Sequence, residues 1–129
     1  ELSRILARRH GVDAILHPTA FCRDETFHTW HAFATTRAIE NQFYVVTSGV
    51  VGNLPDVENM DIHYGASDII TPCDFPFARD GIAASAPVNT ETIIFADLNL
   101  DDLVLARKSG TVQNFRDRRF DLYEVKWHK

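Results

Sequence analysis

Helical and strand patterns alternate through the first 48 residues, and that alternation constrains the fold more than any other feature of the sequence. Leu2, Ile5 and Leu6 fall at helical spacing, and the run stops at His10-Gly11, where glycine suits the left-handed position that ends a helix. Ala14-Ile15-Leu16-His17 reads as a short buried strand ended by Pro18. A loop over 19–24 leads into a helix over about 25–41, with Phe27, Trp30, Ala34 and Ala38 on one face. Phe43-Tyr44-Val45-Val46-Thr47-Ser48 is a strand by its aromatic and β-branched content. Two strands joined through a helix are expected to run parallel, because only a long crossover returns the chain to the same end of a sheet.

The rest of the chain reads differently. Residues 49–65 are rich in loop formers, among them Gly52, Asn53 and Pro55. Strands are expected at 67–70, 82–85 and 90–98, with a Thr71-Pro72-Cys73-Asp74 turn after the first. Asp101 can cap a short helix to about Lys108, and residues 122–127 alternate as a terminal edge strand would. The sequence therefore predicts a layered α/β domain, parallel in its first part and antiparallel later. Because the chain opens inside a helix and its first strand is flanked on one side only, open sheet margins and a truncated domain are expected.

With 129 residues, one compact domain is the expectation. The net charge of −5 argues against nucleic-acid binding, and the Arg116, Arg118, Arg119 cluster is interleaved with Asp117 and Asp121 as in a local ion-pair network. No apolar stretch approaches the ~20 residues of a membrane-spanning helix. The two cysteines, Cys22 and Cys73, form no CxxC pair. With no secretory pattern in the sequence, two reduced thiols and a cytoplasmic setting are expected, although a disulfide is left open.

Several segments together resemble one family. Glu1-Leu2-Ser3-Arg4-Ile5-Leu6-Ala7 followed by Gly11-Val12-Asp13-Ala14-Ile15-Leu16-His17-Pro18 is similar to the stretch that follows the nucleophile in carbon–nitrogen hydrolases of the nitrilase superfamily. Arg37-Ala38-Ile39-Glu40-Asn41 resembles the end of the family's Arg-Ala-x-Glu-Asn helix. Tyr64-Gly65-x-Ser67, then Ile69-Ile70-x-Pro72, resembles its Gly-x-Ser…Pro strand. Arg107 and Arg118-Arg119-x-Asp121-Leu122-Tyr123 match its C-terminal pattern. Asn59-Met60-Asp61 and Thr71-Pro72-Cys73-Asp74 further resemble the branch often fused to an acetyltransferase domain.

The resemblance implies part of a four-layer α-β-β-α sandwich, the C-terminal portion of one hydrolase domain. It implies cleavage of amide, carbamoyl or nitrile C–N bonds, in which a Cys forms a thioester, a Glu acts as base and a Lys stabilises the oxyanion. In the family order all three precede Glu1, so the isolated chain is expected to be inactive. No cofactor or metal is implied. The partners implied are a small amide or nitrile and a second copy of the protein, with neither nucleic acid nor membrane. Pro18, Thr19, Ala20 and Cys22, at the carboxyl end of the first strand, are the expected substrate wall, and a Thr19→Val change should alter substrate preference.

Bland readings compete with each functional one. Cys22, before a helix, is read as a passive thiol, since no Glu or Lys is patterned around it. Cys22, His28 and His31 lack a fourth ligand at a recognisable spacing, so a metal site is not favoured. Arg37, Glu40 and Asn41 are read as anchors of a helix end, and Arg118, Arg119 and Asp121 as a tie for the C-terminal segment or a subunit contact. Phe27, Trp30, Phe33 and Phe43 suit a core or an oligomer interface. The alternative to an enzyme portion is a non-catalytic module of the same fold that dimerises or regulates a fused partner.

Overall fold

The expected crossover unit is present in the computed structural model, which describes residues 1–58 and 62–126. Helix α1 (Leu2–His10) ends on Gly11, whose φ of 61° places it in the left-handed region. Strand β1 (Ala14–Thr19), helix α2 (Asp24–Asn41) and strand β2 (Tyr44–Gly49) follow, then β3 (Asp68–Ile70), β4 (Ile82–Ser85) and α3 (Leu100–Ser109). The sheet order is β1-β2-β3-β4. β1 and β2 are parallel, while the β2–β3 and β3–β4 pairs are antiparallel. No helix among the described residues is long and apolar enough to cross a membrane.

Register decides what each face carries. Ile15, Val45 and Ile70 are aligned across three strands. They pack with Ala7, Ala34, Ala38 and Phe43 into the core beneath α1 and α2. Phe43 and Ile70 are fully buried; complete burial of such a side chain contributes about 1.5–3 kcal/mol. Alternation sends Leu16, Val46, Ile69 and Ala84 to the other face. There Leu16 is 76% exposed.

α2 stops at Gln42, a non-glycine residue at φ 50°, a conformation that costs about 1–2 kcal/mol. Its side chain offsets that cost, since Nε2 donates to the carbonyls of Ala106 and Val112. Arg107 of α3 donates to the Gln42 and Val12 carbonyls and to Asp13 Oδ1 at 2.7 Å. Tyr44 donates to the Asn99 carbonyl at 2.7 Å. α3 is thereby tied to the starts of β1 and β2.

Three expectations are corrected. Residues 90–98 belong to no strand, although their exposure alternates. No neighbouring segment among the described residues supplies a ladder, and Ile93 and Phe95 stand 77% and 83% exposed. Residues 122–126 are likewise not a strand. The cap of α3 is Asn99, whose side chain accepts from the Asp101 amide, so Asp101 lies inside the first turn. The Asn59-Met60-Asp61 motif and Trp127 lie outside the described residues.

Candidate functional site

The carboxyl end of β1 is where the chain turns from sheet to loop. Pro18, Ala20 and Cys22 are exposed there, while Thr19 and Phe21 are half-buried. Backbone bonds hold the turn: the Val50 amide donates to the Thr19 carbonyl at 2.9 Å, and the Tyr64 amide to Phe21 at 2.8 Å. The Thr19 hydroxyl is only weakly engaged, at 3.5 Å from the Ser48 carbonyl.

The Gly-x-Ser segment has a steric task beside it. A Cβ on Gly49 would stand 2.5 Å from the Ala66 carbonyl oxygen, and one on Gly65 2.9 Å from that of Val50. Backbone therefore lies directly on backbone, which only glycine permits. Ser67 Oγ accepts from the Gly49 amide at 3.1 Å, and Asn89 Oδ1 accepts from the Gly65 amide at 2.9 Å. The motif packs the loop before β3 against the end of β2.

Aromatic side chains from α2 cover the turn. Trp30 lies 6.4 Å from Phe21 and 5.6 Å from His17, ring centre to ring centre. Phe27 meets Tyr64 edge-on at 5.5 Å. Below them, register lines up a polar row across the sheet: His17, Thr47, Asp68 and Ser85. Asp68 is 3% exposed, and its carboxylate meets His31 Nδ1 at 3.2 Å and accepts from Ser85 Oγ at 2.5 Å. The sequence reading missed this row. Its one signal was an aspartate in an otherwise apolar strand.

The other singled-out residues fall into two groups. Arg37, Glu40, Asn41 and Arg118 come together. Glu40 is paired with Arg37, with Arg118 at 3.3 Å and with Arg4 at 4.0 Å. Asn41 Nδ2 donates to the Arg37 carbonyl, and Arg118 to the Glu40 carbonyl at 2.8 Å. Burial pushes the Glu40 carboxyl up, but the Arg37 hydrogen bond and the charges of Arg37, Arg118 and Arg4 outweigh it and hold it below its usual range. Arg119 and Asp121 form a separate, exposed bidentate pair at 2.6 and 2.8 Å. The single network expected around Arg118 is thus split, because Arg118 turns inward to α2.

Cys22 and Cys73 are both free. Cys73 is partly buried, and burial, then the Asp80 charge, raises its thiol pKa. His28 packs against Phe27 and Tyr64. No group of three or more His, Cys, Asp or Glu side chains among the described residues is arranged to hold a metal. A groove of about 580 Å³ between α1 and residues 120–125 shares no lining residue with the turn.

No family model matches the chain. It is 43% identical over 131 residues to "Probable hydrolase YhcX" of Bacillus subtilis, covering all of this chain and 25% of that protein. It is 30% identical over 129 residues to omega-amidase NIT2 of Bos taurus, covering all of this chain and 42% of that protein. The chain spans about a quarter to two fifths of these curated relatives. Among solved structures, Saccharomyces cerevisiae Nit3, a member of branch 10 of the nitrilase superfamily, superposes with a TM-score of 0.66 at 30% identity, over 91% of this chain and 39% of that one. In sequence and in α/β layering, the chain carries the fold of the carbon–nitrogen hydrolases of the nitrilase superfamily.

Proposed function

We propose that this chain is the C-terminal portion of a carbon–nitrogen hydrolase and forms one wall of its substrate pocket. The observation that carries the reading is the exposed turn at Pro18, Ala20 and Cys22, at the carboxyl end of a parallel strand whose outer edge is unpaired among the described residues. Ligands in open α/β sheets sit beyond the carboxyl ends of parallel strands, and an unpaired edge has room for a further strand. Relatives of greater length named hydrolase and omega-amidase support a small amide as the substrate class.

On this reading the nucleophilic Cys, the Glu base and the Lys are supplied by residues preceding Glu1. The thiolate adds to the amide carbon and the C–N bond breaks. The amine departs with a proton from the Glu, and water then cleaves the thioester to the acid, regenerating the thiol. Thr19 and its neighbours shape the wall that the substrate meets. Trp30 and Phe33, at 45% and 49% exposure, suit a contact between two copies.

The test uses the polypeptide as its gene encodes it, given a panel of small amides and nitriles and followed by intact-mass spectrometry. Turnover with an acyl adduct on a cysteine upstream of Glu1 is expected, and the 129-residue chain alone should give none. Turnover that survives replacement of every upstream cysteine would overturn the mechanism. A polypeptide inactive on the whole panel would favour a non-catalytic module.

A further inference from the structure

We infer that Asp68 and His31 form a positioning pair for residues 18–22: the buried carboxylate holds the imidazole, and with it the first turns of α2, against the end of β1. The inference rests on reading those residues as the pocket wall.

A carboxylate in the middle of a sheet is costly unless its lone pairs are met. Those of Asp68 are met from two directions, by Ser85 of β4 and by His31 of α2. Its amide also donates to Thr47 Oγ1 on β2 at 3.0 Å. The order of these groups decides their chemistry. In a hydrolytic triad the imidazole stands between hydroxyl and carboxylate. Here the carboxylate stands in the middle, and Ser85 donates to it, so the hydroxyl is not activated. A carboxylate only accepts, so His31 carries its proton on Nδ1.

The position of His31 gives the pair its consequence. Trp30, one residue before it, lies on Phe21 and His17, and Phe27, one turn earlier, lies on Tyr64. Tyr64 in turn donates its amide to Phe21. Thr19, Phe21, Thr47, His31 and Asp68 also line one cavity of about 10 Å³, too small for a substrate. The pair therefore acts from behind the wall. Apolar packing would let α2 slide, whereas a directional bond to a buried acceptor fixes one setting.

The test compares Asp68→Ala, His31→Leu and His31→Asn in the polypeptide as its gene encodes it. The Asn amide N–H can take the place of Nδ1–H. The first two variants should raise KM about fivefold or more with kcat held within about twofold, and His31→Asn should restore KM. Unchanged KM, a loss confined to kcat, or His31→Asn behaving like His31→Leu would each overturn the pair. If wild type turns over no amide, the functional reading fails separately. The pair is then decided by the iodoacetamide alkylation rate of Cys22, next to Phe21, with Cys73 as internal reference. Asp68→Ala and His31→Leu should speed that reaction severalfold relative to wild type and His31→Asn, and equal rates would overturn the pair. NMR of wild type should find the Nδ1–H tautomer at His31, and the Nε2–H tautomer would also overturn it.

Discussion

The two faces of the sheet differ in kind. Under α1 and α2, one residue from each of the four strands (Ile15, Val45, Ile70 and Ile82) joins the packed core. On the opposite face Leu16 of the edge strand stands open although Ile69 is buried, and elsewhere in the chain Ile93 and Phe95 project from an extended run with no ladder among the described residues. Strand composition is similar on both sides, so the difference lies in what covers each face. Apolar alternation tells a strand which way to turn, but covering it requires a second layer.

That contrast can be broken most directly at Phe43. Phe43→Ala should cost about 3–5 kcal/mol, measured by urea unfolding, because the site is fully enclosed. A loss under about 1 kcal/mol would mean the helix-covered face is not a closed core. Arg107→Ala should cost about 2–3 kcal/mol, since it strips hydrogen bonds from Val12, Asp13 and Gln42 at the strand starts. Thermal unfolding of that variant tests whether the closed side depends on α3.

Asp74 sharpens the comparison through pH. Its carboxylate accepts from the Thr111 hydroxyl and the Val112 and Phe75 amides. The Thr111 bond foremost, then the Val112 amide, hold it below the usual carboxylate range. A depressed carboxylate contributes stability above its unfolded pKa and loses it as pH falls through the folded value. Asp74→Asn should therefore cost about 1–2 kcal/mol at neutral pH. It should also flatten the acid limb of the stability–pH curve, and an unchanged limb would count against this assignment.

The smallest effects belong to the exposed apolar side chains, Leu16 at the sheet edge and Phe95 outside the sheet. Leu16→Thr and Phe95→Ser should each shift the stability of the chain by no more than about 0.5 kcal/mol and reduce self-association in analytical ultracentrifugation. A cost comparable to that of Phe43→Ala would mean these two side chains are covered after all.

Much of the covered side was legible in the sequence. The crossover unit, the parallel-then-antiparallel order and the span of α2 follow from periodicity and from the residues that end each element. The polar row was not legible, because the register between β2 and β3, which are far apart in the chain, is invisible in sequence. A one-residue slip of β3 would have placed Ile69, not Asp68, beneath α2. Residues 90–98 have strand composition, but a ladder needs a partner that composition cannot name. The split of Arg118 from Arg119 was hidden for a similar reason, since adjacent side chains in an irregular segment need not share a direction. Of the candidate wall, the strand was readable but its end was not: Pro18, expected to end β1, pairs with Ser48 inside it, because an edge strand tolerates a proline whose missing N–H faces away from the ladder. The wall's support by α2 and Asp68 depended on contacts distant in sequence.

The reach of Arg107 also bears on how the polypeptide is made. Its partners lie 65, 94 and 95 positions earlier. During translation the starts of β1 and β2 emerge long before the guanidinium that fastens them. Until residue 107 has cleared the ribosome, the nascent sheet relies on its own ladder and on the helices already released, an interval in which a holdase would find apolar surface to bind.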